Sequence, residues 1–196
     1  PTTQKLVTKA NAIPYNWVRK SQANVLARNI ESGSYTSSLM FGVQWDLILK
    51  FIQNKNSNIE YSFKTDSKEI GNYYNSELVL NRGKFATRSE LTKWYNFDSN
   101  EKSEIVKASK KISQSSNSNA ILLTTGASEQ TKLQNIYDLA GNVWEWTLEF
   151  SSNSSAPGVH RGGALNYNGN GAPASYRDLG NTLYSSNSVG FRVVIY

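Results

Sequence analysis

The chain predicts an α+β domain with much irregular structure, and three observations carry that prediction. Two amphipathic stripes in the N-terminal quarter have helical spacing. An alternating apolar segment closes the chain. Over the whole, 38% of the 196 residues are hydrophobic and 12% aromatic, a balance that suits many loops pinned by large rings better than a broad aliphatic core. One domain of ordinary size accommodates this length, so residues 1–196 are read as one domain. Because the sequence opens on Pro1, it is read as the C-terminal part of a longer protein.

The first stripe is Ala23, Leu26, Ala27 and Ile30, at i, i+3, i+4 and i+7. Ser21 is the expected N-cap and Ser32-Gly33 the expected stop. QWDLILKFI repeats the spacing with Trp45, Ile48, Leu49 and Ile52, and ends in the polar run NKNSN. Both stripes read as core-facing. Residues 54–134 are polar and weakly periodic, with short apolar bursts (ELVL, AILL) that read as a few short strands or turns in extended loops. Residues 159–165, VHRGGAL, read as a strand. SVGFRVVIY, residues 188–196, reads as a stronger one, with Val189, Phe191, Val193 and Ile195 on one face. The strands bracket a long polar loop, NYNGNGAPASYRDLGNTLYSSN. In the WEW segment, Trp144 and Trp146 are expected on opposite sides, one ring in the core and one shielding the sheet beneath that loop.

Composition narrows the functional classes. Without cysteine there is no disulfide framework, thiolate metal site or cysteine nucleophile. The net charge is +6, but basic and acidic residues interleave, and KASKK at 107–111 reads as a solvated loop, so no nucleic-acid face is expected. No window has the apolar length of a membrane span, and no membrane insertion is expected. His160 is the single histidine. It reads as a structural hydrogen-bonder, since no Ser-His-Asp set or metal cluster assembles around it. Arg161 with Gly162-Gly163, and Arg192 after Gly190-Phe191, read as scaffold, the glycines permitting close backbone approach and the arginines bridging loops.

DLAGNVWEWT, followed by HRGGAL and closed by GFRV, resembles the formylglycine-generating-enzyme (sulfatase-modifying-factor) domain. The resemblance implies an elaborated C-type-lectin fold of two helices, small antiparallel sheets and much irregular structure. Oxidase members of that family use a cysteine pair near the C-terminus to bind copper. Here Val193 stands straight after GFR and there is no cysteine, so the fold carries over without the oxidase chemistry. The order of RGG, a polar loop, PASYR and a terminal GFRV is also similar to the non-catalytic variable proteins of diversity-generating retroelements. In that class adenine-directed mutagenesis rewrites chosen codons near the C-terminus, turning an AAC-type codon into Asn, Tyr, Ser, Asp and others.

That second resemblance implies a ligand-binding surface made of Asn166, Tyr167, Asn168, Asn170, Tyr176, Arg177, Asp178, Asn181, Tyr184, Ser185 and Asn187. Tyrosines would anchor, asparagines would adapt their hydrogen bonds, and Arg177 and Asp178 would add charge specificity unless PASYR is framework. The partner would be a protein or glycan on another cell or host surface. The location would be a bacterial surface, the secreted fraction or a phage tail. No cofactor is required. The family match also points to a calcium ion on Asp138, Gly141, Val143 and Glu145, with oxygen ligands on a tight glycine turn. The other reading is that Asp138 caps the turn and Glu145 pairs with an arginine such as Arg161 or Arg192. Two other functions remain open: a divergent metal-dependent enzyme of the formylglycine-generating or sulfoxide-synthase type, and a purely structural surface module.

Overall fold

The computed structural model describes residues 6–30, 33–80, 82–96, 111–113 and 116–196. Ser32 and residues 107–110 of the basic run lie outside them. The architecture is mixed α+β, with small sheets around several separate apolar clusters.

Helix α1 is Lys20–Arg28 and α2 is Gly42–Lys55. The expected stripes are their buried faces: Ala23, Leu26 and Ala27 on α1, and Trp45, Leu49 and Ile52 on α2. α2 ends within the expected polar run, at Lys55, while the ends of α1 differ from expectation. Arg19, not Ser21, is the N-cap of α1, and Asn29 ends the helix, leaving Ile30 beyond it. A glutamine takes the capping role at both starts: Gln22 Oε1 accepts from the Arg19 N–H, and Gln44 Oε1 from that of Phe41. A short third helix, α3 (Glu60–Lys64), buries Phe63 against the α2 cluster.

The middle of the chain is more regular than its sequence suggests. After β1 (Ser37–Leu39) come β2 (Glu77–Val79), β3 (Lys84–Thr87), β4 (Tyr95–Asn96), β5 (Lys111–Ser113) and β6 (Ile121–Leu123). β2 pairs with β5, and β3 lies between β4 and β6. ELVL and AILL are thus strand cores. Next, β7 (Lys132–Leu133) and β8 (Ile136–Tyr137) form a hairpin across Gln134 and Asn135, both at positive φ, as a tight two-residue turn requires.

The sheet that matters most for the surface is built from β9 (Trp144–Phe150), β10 (Gly158–Arg161), β11 (Arg177–Gly180) and β12 (Val189–Phe191), in the order β11-β10-β9-β12. Three expectations change here. The VHRGGAL strand stops at Arg161, because Gly162 and Gly163 have φ of 90° and 80°. A Cβ at Gly163 would sit 2.4 Å from the Ala172 carbonyl oxygen, so that close return of the chain needs glycine. The C-terminal segment is two strands: β12 pairs parallel to β9, while β13 (Val193–Ile195) crosses to β1. The sheets are therefore not all antiparallel. The long polar loop also contains a strand, β11, paired with β10 from Gly158↔Gly180 to Arg161↔Arg177.

The tryptophans are corrected as well. Residues i and i+2 of a strand share a face, and Trp144 and Trp146 both lie in the cluster that α1 covers, each almost fully buried. Trp146 Nε1 donates to the Val18 carbonyl at 3.0 Å.

Candidate functional site

At the end of that sheet the strand register assembles a stack. β9 supplies Trp144 and Trp146. His160 on β10 pairs across to Trp146 on one side and to Asp178 of β11 on the other. The imidazole contacts both indoles, with ring centroids 4.8 Å from Trp144 and 5.0 Å from Trp146. Burial pulls its pKa down to about 4, so it is neutral at pH 7. Over the outer edge of Trp144 stand two tyrosines: Tyr167 edge-on at 5.2 Å and Tyr176 tilted at 6.1 Å. They are 40% and 44% exposed, and Tyr184 is 62% exposed. Burial raises the Tyr167 hydroxyl pKa, and the nearby Asp178, Tyr176 and Tyr184 raise it further, while Trp144 opposes the shift. Polar-tipped rings thus gather over a buried Trp–His–Trp base, with a carboxylate among them.

Of the residues assigned to a variable surface, Tyr167, Asn170, Tyr176, Arg177, Asn181 and Tyr184 are exposed, while Asn166, Asn168, Asp178, Ser185 and Asn187 are half-buried. Several are occupied in holding their own loops. Asn168 Oδ1 accepts from the Gly171 N–H and Asn181 Oδ1 from that of Leu183. The Asn187 carbonyl accepts from Asn16 Nδ2, tying the N-terminal stretch to the loop. Arg177 donates through Nε to Glu149 Oε2 at 2.7 Å and through Nη2 to the Phe150 carbonyl, so it is engaged by the scaffold. His160 underlies the cluster, although its sequence context marks it as structural. Leu183, 71% exposed beside Tyr184, gave no polar signal to find it by.

An acid–arginine frame braces the rest. Both Glu145 oxygens accept from Arg192, which also donates to the carbonyls of Tyr137 (3.3 Å) and Asp138 (3.1 Å). Burial pushes the Glu145 carboxyl pKa up while Arg192 opposes it. Arg161 reaches Glu149 (2.8 Å), Asp46 (3.1 Å) and the Ser175 carbonyl (2.8 Å). Of the four residues considered for calcium, Asp138 accepts from the Thr131 hydroxyl at 2.7 Å and the Gly126 N–H at 2.8 Å. The Glu145 carboxylate is spanned by the guanidinium. These donors, as arranged, do not fit a divalent ion, because the position beside Glu145 already holds a cation. The melting temperature is therefore expected to be unchanged, within about 1 °C, between millimolar calcium and a chelator, since a ligand that binds only the native state must raise it. A clear calcium-dependent rise in calorimetry would reverse that reading. Among the described residues no group of three or more His, Cys, Asp or Glu side chains is placed to hold a metal. Beside the frame runs a cleft of about 770 Å³, lined by the 6–15 segment, the β7–β8 hairpin and Phe191–Val193.

Residues 72–196 match the family model of the sulfatase-modifying factor enzyme 1-like domain, FGE-sulfatase. No curated protein matches the chain.

Proposed function

The chain belongs to the sulfatase-modifying factor enzyme 1-like family, and we propose that it uses this scaffold, an elaborated C-type-lectin frame, as a non-catalytic binding domain. It acts on a bacterial surface, in the secreted fraction or on a phage tail. Its ligand is a protein or glycan on another cell or host surface. One observation carries the reading: two exposed tyrosines, Tyr167 and Tyr176, stand against Trp144 of a buried Trp144–His160–Trp146 base, with exposed Tyr184 near Tyr167. Rigid aromatic rings on a fixed support give contact area at small entropic cost, and the surrounding Asn and Ser side chains adapt their hydrogen bonds. The same palette of Asn, Tyr, Ser and Asp supports diversification of the loop by a retroelement. The enzyme alternative draws no comparable support. The chain offers no sulfur ligand of the cysteine type, and its one histidine is wedged between indoles with a depressed pKa.

The test is retention of the labelled full chain on candidate host cells. Replacing Tyr167, Tyr176 and Tyr184 together by alanine is expected to abolish retention while shifting the melting temperature by no more than about 4 °C, because exposed side chains contribute little to folding. Unaltered retention would sink the site. Unfolding would show that the rings are core. The diversification is read from the DNA downstream of the gene: a near-copy of its 3′ end, differing where the copy has adenine, beside a reverse-transcriptase gene, is the expected finding.

A further inference from the structure

This inference rests on the binding reading and names the chemistry the surface receives. The buried carboxylates of the frame are satisfied from within the chain. Glu145 is held by Arg192, Glu149 by Arg161 and Arg177, and Asp138 by Thr131 and the Gly126 N–H. Asp178 is different. Its side chain is 32% exposed, and among the described residues no lysine or arginine lies within 4 Å of it. Its neighbours are the Leu179 backbone N–H, the neutral His160 and the tyrosine cluster. Burial accordingly pushes its carboxyl pKa up. Beside it His160 is 7% exposed, and its enclosed Nδ1 has no hydrogen-bond partner. Nδ1 and Asp178 Oδ2 are 3.8 Å apart, beyond a direct hydrogen bond. His160 Nδ1 is enclosed, so the accessible acceptor of the pair is the Asp178 carboxylate.

We propose that Asp178, Tyr167 and Tyr176 form a receptor for a primary ammonium group, the lysine side chain of a protein ligand. An ammonium carries three donors on a compact charge. One can reach the half-exposed Asp178 carboxylate in a charge-assisted bond, leaving the others to water or to the tyrosine hydroxyls. The faces of Tyr167 and Tyr176 attract the same cation and shield it from water. A neutral glycan supplies hydroxyl donors but leaves the carboxylate's charge uncompensated, so the lysine is the occupant the site favours. On a chain of net charge +6, long-range fields repel a basic partner, and selectivity comes from this local carboxylate, screened by salt.

The experiment titrates the full chain, at low ionic strength, with Nα-acetyl-lysine methylamide, its Nε-acetylated form and a neutral methyl glycoside, following the Trp144 indole and His160 imidazole by NMR. The lysine compound is expected to shift both signals saturably and the Nε-acetylated one to leave them unchanged. Asp178→Asn is expected to weaken the lysine compound by about tenfold or more, the loss that follows removal of a charged hydrogen-bond partner. Glu60→Gln, which removes an exposed carboxylate already paired with Lys64, should leave it unaltered. Equal binding of the acetylated compound, full affinity in Asp178→Asn, or no shift of either signal overturns the ammonium assignment. Saturable glycoside binding at the same signals, lost in Tyr167→Ala, overturns it in favour of a glycan while the binding surface stands. Failure of the surface itself shows separately, as cell retention that survives the triple tyrosine replacement.

Discussion

Arg192→Ala is expected to destabilise the domain by about 3–5 kcal/mol, the cost of stranding a buried charge, and to lower the melting temperature by roughly 6–20 °C for a chain of this size. The guanidinium holds both Glu145 oxygens and lies 5.8 Å over the Trp45 ring. It also ties the carbonyls of Tyr137 and Asp138. Its position between β12 and β13 makes it the hinge at which the chain leaves one sheet for another, so the loss reaches two sheets at once. Removing it leaves Glu145, 8% exposed, with no counter-charge within 4 Å among the described residues. The sign of the pH dependence follows. Burial already raises the Glu145 pKa in the folded state, and without Arg192 it rises further. The folded state then binds the proton more tightly than the unfolded one, and the variant regains stability as pH falls. The deficit measured by urea unfolding is expected to be larger at pH 8 than at pH 5. Adding Glu145→Gln should recover part of it. A deficit below about 1 kcal/mol, or one that grows in acid, would show that the pair is not what locks these sheets.

How much of this was legible in the sequence depends on element length. Trp45, Leu49 and Ile52 span enough turns for their period to declare α2, and the structure buries those three. EYSFK is barely more than one turn and shows no period, so α3 was invisible. β4, β7 and β8 have two residues each, too few for alternation to register. RDLG lacks the β-branched and aromatic residues that mark strands; its pairing with GVHR comes from register across the intervening loop. That pairing is what brings Asp178 beside His160, and no local pattern announces it. The single break at Arg192 divides an apparently continuous alternation between two sheets, since its side chain is drawn to Glu145. Of the candidate site, composition and resemblance point to the tyrosines and to Arg177 alike. Arg177 is exposed but also bound to Glu149, a pairing that charge in the sequence does not reveal.

Trp146→Ala is expected to cost about 3–5 kcal/mol, the range for truncating a buried aromatic ring, and to abolish ligand capture with it. The ring is 1% exposed, donates to the Val18 carbonyl and abuts His160. Gly158 and Gly180 make room for it: a Cβ at either would come within 2.9 and 2.7 Å of the indole. A cavity there removes the support that aligns β10 with β11, and with it the His160–Asp178 pair and the base beneath Tyr167. Trp146→Phe keeps most of the volume but loses the hydrogen bond, and should fall between the two. Tyr167→Ala, by contrast, truncates a ring 40% exposed and should change stability by about 1 kcal/mol or less while still weakening capture. Melting and retention measured on the same three proteins distinguish the parts. If stability and binding fall together for the tryptophan but separate for the tyrosine, one residue belongs to the support and the other to the displayed surface. Equal stability losses for both would merge support and surface into one core, and a domain whose contact residues cannot change without unfolding could not tolerate diversification there.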